Sequence, residues 1–209
     1  MLEKIKALLD EKASKISDSL QSPASETSIQ KLEQLIDKKL PDDFIKLYKE
    51  HNGLNPDKLV NFAYGIPFIP IEKSISHIEL YKTQATNDIL KYADSEIKTD
   101  YIFNHNRIPI GDDCGTTYLC IDLDPSAEGL IGQIILIDYE YNIAIKLHDS
   151  ISEYLQQFEA DLINNKYSLQ EDALDDGNHW LNPIREIDPV NWFNSPTWKH
   201  INDKIANKS

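Results

Sequence analysis

Asp122 and Asp124 are separated by one residue, and Asp138 ends the next apolar run of the chain. Residues two apart on a strand share a face, so the first two carboxylates would lie together and Asp138 could join them from a neighbouring strand. Three such carboxylates could bind a divalent metal ion or supply a general acid and base. The competing interpretation, which the pattern favours, is an acidic strand end with Asp124 as the turn residue before Pro125. A metal-dependent hydrolase is therefore only a second alternative.

Other catalytic patterns are absent. The chain has no GxSxG motif, no HExxH motif and no phosphate-binding loop, and its six histidines are scattered without paired metal-ligand spacing. The segment 111–115 has a glycine at each end, but Asp112 and Asp113 would repel phosphate and no lysine follows. We interpret this segment as a tight turn, and we expect no enzyme activity, no metal and no cofactor.

Carboxylates concentrate in residues 108–145, a stretch that contains no Lys or Arg. An acidic surface favours a basic partner and gives fast, salt-sensitive association. We therefore predict a negative rim around the sheet as the partner-binding surface. It consists of Asp112, Asp113, Asp122, Asp124, Asp138 and Glu140.

Three apolar runs in the same stretch predict consecutive strands, at Tyr118–Leu123, Gln133–Tyr139 and Asn142–Leu147. The last two are so close in the chain that they must pair as an antiparallel hairpin, because a parallel pair needs a longer crossover. These strands form the predicted core, and the other elements pack around them.

Helical spacing of apolar residues predicts helices in the sequence before these strands and after them. Residues 2–20 form one amphipathic helix, and Ser25 caps a second helix that stops near Lys39. A third helix ends at Asn52-Gly53, where Gly53 would supply the left-handed residue after the helix. Helical spacing returns over 72–98 and again after Asp149 or Ser150. A final short helix is predicted at about 196–206.

Residues 166–209 differ in character from the rest. They contain all three tryptophans (Trp180, Trp192 and Trp198) and an acidic run over 171–176. Disordered tails are poor in aromatic residues, so this segment is expected to pack back onto the domain. Its tryptophans either cover an exposed side of the core, which is favoured, or form a recognition platform for a carbohydrate or peptide. We predict a domain at 1–165 and a Trp-rich extension at 166–209.

Composition excludes several classes of function. A net charge of −14 in 209 residues argues against direct binding of nucleic acid and against anionic membranes. No apolar run is long enough to span a bilayer, and the acidic, helical N-terminal residues do not resemble a signal peptide, so a cytoplasmic location is expected. Two cysteines, Cys114 and Cys120, are too few for a disulfide scaffold.

Three segments, in this order, resemble the SUKH superfamily, which includes bacterial immunity proteins and fungal regulators of cell-wall synthesis. The first is Ser28–Ile36, then the Leu-Pro-Asp-Asp-Phe run that begins at Leu40 and the His-Asn-Gly that ends at Gly53. The second is Ile-Pro-Ile-Gly-Asp at 108–112. The third joins 118–125 to Gly-Gln-Ile-Ile at 132–135 and Asp138. The resemblance covers about residues 25–160.

This resemblance implies an α+β fold, with helices packed on one side of a mostly antiparallel sheet. It also implies a non-catalytic protein-binding module. The bacterial kind neutralises a cognate toxin, often a nuclease, and the absence of long disordered arms favours that kind. The alternative is a regulatory interaction scaffold in cell-wall signalling. A nuclease must bind phosphate and is basic, so the acidic composition fits the first role.

Overall fold

Five strands form the central sheet, in the spatial order β1-β5-β4-β3-β2. The computed structural model describes residues 1–83 and 88–206. Helices pack on one side of the sheet, so the predicted α+β class is confirmed. The helices are α1 (Glu3–Lys12), α2 (Ser14–Ser17), α3 (Glu26–Ile36), α4 (Asp42–Glu50), α5 (Ile71–Thr83), α6 (Ile151–Ile163), α7 (Glu171–Asp175) and α8 (His200–Ala206). The sheet strands are β1 (Tyr92–Ala93), β2 (Arg107–Asp112), β3 (Thr117–Asp122), β4 (Gln133–Asp138) and β5 (Ile143–His148), and β6 (Tyr167–Leu169) pairs separately with β7 (Leu181–Pro183).

The strands β2 to β5 are joined in succession as antiparallel neighbours. The three strands predicted from apolar runs correspond to β3, β4 and β5, each within one residue of its predicted ends. The predicted β4–β5 hairpin is confirmed. The turn predicted at 111–115 begins two residues later, because β2 continues through Asp112 and residues 113–116 join it to β3.

The prediction of helical structure over 72–98 is correct for α5 but wrong beyond residue 88. Residues 84–87 lie outside the described residues. After them the chain forms β1, which pairs in parallel with β5 at the sheet edge. A short apolar run fits a helix or a strand equally well, and a distant pairing partner decides between them.

Both faces of the sheet are covered, which explains why every residue of β4 is buried. Alternate side chains, such as Leu119 and Leu136, face the helices and join the main core with Phe44 and Phe158. The intervening side chains face a second, smaller apolar cluster. It is formed by Leu90, Ile97, Ile102, Cys120, Ile135, Ile137 and Ala144, to which the segment before β2 contributes the first three.

The helix ends follow local rules in two cases and depart from the prediction in two others. Ser25 caps α3 and Ser150 caps α6, each accepting a backbone N–H three residues ahead at 3.0 and 3.1 Å. The predicted helix over 2–20 is broken at Ala13, which lets the chain turn so that Leu20 forms a bridge with Leu54.

Gly53 does not directly follow α4, because the helix ends at Glu50 and His51 is an extended cap. Gly53 has a φ of +72°, and its backbone lies close to the backbone of Ile69 and Pro70. A Cβ at this position would lie 2.5 Å from the carbonyl carbon of Ile69 and from the nitrogen of Pro70.

Residues after α6 contact the domain at several places, two of which are buried. The buried Asn61 side chain exchanges two hydrogen bonds with the backbone of Leu181 in β7, at 2.8 and 2.9 Å. Trp192 is 2% exposed, whereas Trp180 and Trp198 are half-buried. The predicted final helix is present as α8.

We expect Gly53→Ala to lower the free energy of unfolding by about 2–5 kcal/mol, because left-handed strain adds to a backbone clash. Gly177 is the matched control. It has the same φ of +72°, but a Cβ there would meet nothing within 4 Å. Gly177→Ala should therefore cost only about 1 kcal/mol. Urea denaturation measures both, and equal losses would contradict the steric argument.

Candidate functional site

The strands β2, β3 and β4 each end on a buried aspartate, and all three carboxylates bind the backbone in the same way. In each case Oδ1 accepts the N–H of the residue two positions further on, which fixes the following turn. The pairs are Asp112 with Cys114 at 2.7 Å, Asp122 with Asp124 at 3.0 Å and Asp138 with Glu140 at 3.0 Å. The aspartates are 5%, 0% and 4% exposed.

Asp112 also joins the sheet to a helix. Its Oδ2 lies 3.0 Å from Nε2 of His77 on α5. Burial raises the pKa of Asp112, but the hydrogen bonds from His77 and from the N–H of Cys114 outweigh burial, so the net pKa is lowered. The carboxylate is thus held in its charged form by partners within the fold.

Asp138 joins the sheet to the C-terminal segment. Besides Glu140, its Oδ1 accepts the N–H of Tyr141 at 3.1 Å. Its Oδ2 accepts the indole Nε1–H of Trp192 at 3.0 Å. One buried carboxylate therefore shapes the β4–β5 turn and fixes a tryptophan 54 residues away in the sequence.

Asp122 lies at the opposite end of the sheet. Its Oδ2 accepts Nε2–H of Gln133 at 3.0 Å, and burial raises its pKa. Asp124 lies beyond the end of β3 and forms a 2.8 Å ion pair with Lys98, whose hydrogen bond lowers the pKa of Asp124. The interpretation of Asp124 as a turn residue agrees with these positions.

The expected single rim of six carboxylates is wrong. Successive hairpin turns of an antiparallel sheet alternate between its two ends. Asp138 pairs with Thr117 at the start of β3, whereas Asp122 ends that strand, about 16 Å away at 3.3 Å per residue. The turns β2–β3 and β4–β5 share one end, which contains Asp112, Asp113, Asp138 and Glu140, and the β3–β4 turn places Asp122 and Asp124 at the other.

This separation also removes the proposed metal triad. Asp138 cannot share an ion with Asp122 and Asp124 from the opposite end of the sheet. Within residues 1–83 and 88–206, no group of three or more His, Cys, Asp or Glu side chains is arranged to hold a metal ion.

Two of the six carboxylates remain accessible at the end that contains the β2–β3 and β4–β5 turns. Glu140 is exposed, and its carboxylate has no hydrogen-bond or ion-pair partner among the described residues. Asp113 is half-buried, and its Oδ1 accepts the N–H groups of Gly115 and Thr117 at 2.8 and 2.9 Å. The two turns are adjacent, because the N–H of Tyr139 donates to the carbonyl of Thr116 at 3.0 Å.

Two aromatic residues that the sequence analysis did not select lie at the same end. Tyr141 and Phe193 each place a ring in edge contact with Trp192, at centroid distances of 5.7 Å. Both are substantially exposed. Tyr141 could have been noticed from its position beside Glu140 in a hairpin turn. Nothing local indicates that Phe193 joins it, since that depends on the bond between Trp192 and Asp138.

The comparison with protein families matches residues 23–157 to the SMI1/KNR4 family, SUKH-1. The matched segment runs from just before α3 into α6 and contains the whole five-stranded sheet. It covers more than half of the chain, so this chain belongs to the SMI1/KNR4 family and hence to the SUKH superfamily. Family membership supports a protein-interaction or immunity-type role in general terms. No curated protein matches the chain. Among the described residues, no helix is both long and apolar enough to cross a bilayer.

We expect Asp112→Asn to lower the free energy of unfolding at pH 7 by about 1–3 kcal/mol, because it removes a charged acceptor shared by two donors. The pKa of Asp112 is lowered in the folded state, so its stabilisation is present above the ordinary value of 3.8 and is lost as pH falls through the folded pKa. The difference between variant and wild type should therefore shrink below about pH 4.

Asp122→Asn is the control for the sign of this effect. Burial raises the pKa of Asp122, so the folded state favours its protonated form and the wild type gains stability relative to this variant as pH falls. Denaturation curves between pH 3 and pH 7 should give opposite slopes for the two variants. Parallel slopes would contradict the roles given to the two carboxylates.

We expect Trp192→Phe to destabilise the protein by about 1–3 kcal/mol, because a buried oxygen of Asp138 loses its donor. The C-terminal segment should also become more sensitive to protease. Trp180→Phe is the matched control, since Trp180 is only half-buried and its indole N–H has no hydrogen bond among the described residues. Limited proteolysis and thermal unfolding measure both effects. Equal cleavage of the two variants would show that Asp138 does not hold the segment in place.

Proposed function

We propose that this chain is an immunity protein that binds and neutralises a basic bacterial toxin, of the nuclease type, in the cytoplasm. It acts by occupying the toxin surface and performs no chemistry itself. Membership of the SMI1/KNR4 family supports an immunity-type role. The observation that carries the more specific proposal is the net charge of −14, from 35 acidic against 21 basic residues.

The charge suits this partner for two physical reasons. A nuclease must hold phosphate groups, so its binding surface carries Lys and Arg, and an acidic protein complements that surface. An immunity protein must also bind before damage occurs, and opposite charges raise the rate of encounter well above that of a neutral pair.

The accessible carboxylates define where contact is proposed. Asp113, Asp124 and Glu140 can reach a partner directly. The other three carboxylates form hydrogen bonds within the fold and are not free to contact a partner: Asp112, Asp122 and Asp138. They contribute to the long-range electrostatic field and fix the shape of the turns. The end of the sheet with Asp113 and Glu140 is the favoured contact region, because Lys98 pairs with Asp124 at the other end.

The test is binding to the toxin encoded in the neighbouring reading frame. We expect a tight 1:1 complex by calorimetry and protection of cells that express the toxin. Absence of binding to every neighbouring toxin would contradict the proposal.

Charge reversal tests the contact region. Glu140→Lys should slow association and weaken its dependence on salt, because it reverses an accessible charge beside the partner. Glu128→Lys is the matched control, since it changes the net charge equally but lies in the β3–β4 loop at the opposite end of the sheet. Stopped-flow association rates at several salt concentrations distinguish the two. Equal slowing would mean that only the overall charge matters.

A further inference from the structure

Tyr141 and Phe193 form an exposed aromatic pair at the end of the sheet that contains Glu140. Their side chains are 48% and 44% exposed, and their ring centroids are 6.4 Å apart. They come from distant segments of the chain, and the buried Trp192 ring lies against both. Single exposed apolar residues are common on protein surfaces, but adjacent exposed rings are less easily explained as packing.

The pair is held in place from beneath. The indole of Trp192 donates to Asp138, whose other oxygen accepts the N–H of Tyr141. The carboxylate of Asp138 thus fixes the backbone of Tyr141, and it also fixes the Trp192 ring that packs against Phe193. Rigid aromatic side chains lose little conformational entropy on binding, which is why they dominate the energetics of many interfaces.

Charge at this surface is asymmetric. Glu140 precedes Tyr141 and has no ion-pair partner among the described residues, and Asp113 lies on the adjacent turn. The flanking stretches 108–145 and 186–198 contain no Lys or Arg. On the other side the backbone N–H of Lys91 donates to the carbonyl of Asn142 at 2.7 Å, and at the β2–β3 turn the charge of Lys73 contributes to lowering the pKa of Asp112. The aromatic pair therefore has carboxylates along one border.

We propose that Tyr141, Phe193, Glu140 and Asp113 form a recognition surface for a Lys or Arg side chain presented by a basic protein. The cation would lie over an aromatic ring while a carboxylate of Glu140 or Asp113 neutralises it. This inference rests on the proposed function and names the part of the surface that provides its specificity. A neutral apolar segment would satisfy the rings but leave the carboxylates without a counter-charge.

The direct probe is a hexa-arginine peptide titrated into the isotopically labelled protein at low salt. We expect chemical shift changes centred on residues 139–141 and 193. Each ring removed, in Tyr141→Leu or Phe193→Leu, should weaken binding about 2- to 5-fold, because Leu keeps apolar area but lacks the π face that attracts a cation. Glu140→Gln should weaken binding further.

Two controls match these variants in exposure and charge. Tyr101 is 51% exposed and belongs to the segment before β2, so Tyr101→Leu should leave peptide affinity unchanged. Glu128→Gln should do the same from the β3–β4 loop. Thermal unfolding and near-ultraviolet circular dichroism confirm that each variant remains folded.

Three results would overturn the inference. One is that the chemical shift changes are centred on the acidic residues 171–176, which form α7 and the residue after it. Another is unchanged affinity in both Leu variants, which would mean that the rings do not contact the cation. The third is a concentration-dependent dimer of the native chain that Phe193→Leu abolishes, which would identify the occupant as a second copy.

Failure of the proposed function would give a different result from failure of this inference. If the neighbouring toxin binds the native chain and both Leu variants equally, the immunity role holds and the recognition surface is wrong. If no neighbouring toxin binds while the peptide responds as expected to the Leu variants, the surface recognises cations and the immunity role is wrong.

Discussion

A carboxylate that is buried must find hydrogen-bond donors within the protein, and this requirement organises the sheet. Asp138 shows its effect most clearly. Its two oxygens accept three N–H groups from the β4–β5 turn and from Trp192. A turn, a strand end and a distant segment are thereby fixed relative to one another by one side chain. Asp112 acts in the same way between the sheet and α5, through His77.

The net charge of the chain and the positions of its accessible carboxylates therefore determine different things. The net charge of −14 describes the field that a distant partner meets, and it is a property of the whole chain. The contact surface depends on which carboxylates the fold leaves without partners. At the end of the sheet that faces the proposed partner, Glu140 remains available, while Asp112 and Asp138 are occupied.

The parts of the fold that depend on neighbouring residues could be predicted from the sequence. Strands β3, β4 and β5, their hairpin and the serine cap of α3 follow from local spacing and turn chemistry. The parallel pairing of β1 could not be predicted, because its partner lies far away in the chain. The candidate site was only partly predictable. Its carboxylates were identified, but their division between two ends follows from alternating turns, and the contribution of Phe193 follows from a single long-range bond.

The dependence of the aromatic pair on Trp192 has a consequence for the time at which this surface exists. During synthesis, the β4–β5 turn leaves the ribosome well before Trp192, which follows Asp138 by 54 residues. Until the indole arrives, Oδ2 of Asp138 lacks its donor and the Tyr141 ring lacks the ring that packs against it. A nascent chain with a complete five-stranded sheet is therefore still unable to present both rings, and the aromatic pair is completed only when the segment that carries Trp192 and Phe193 packs against the sheet.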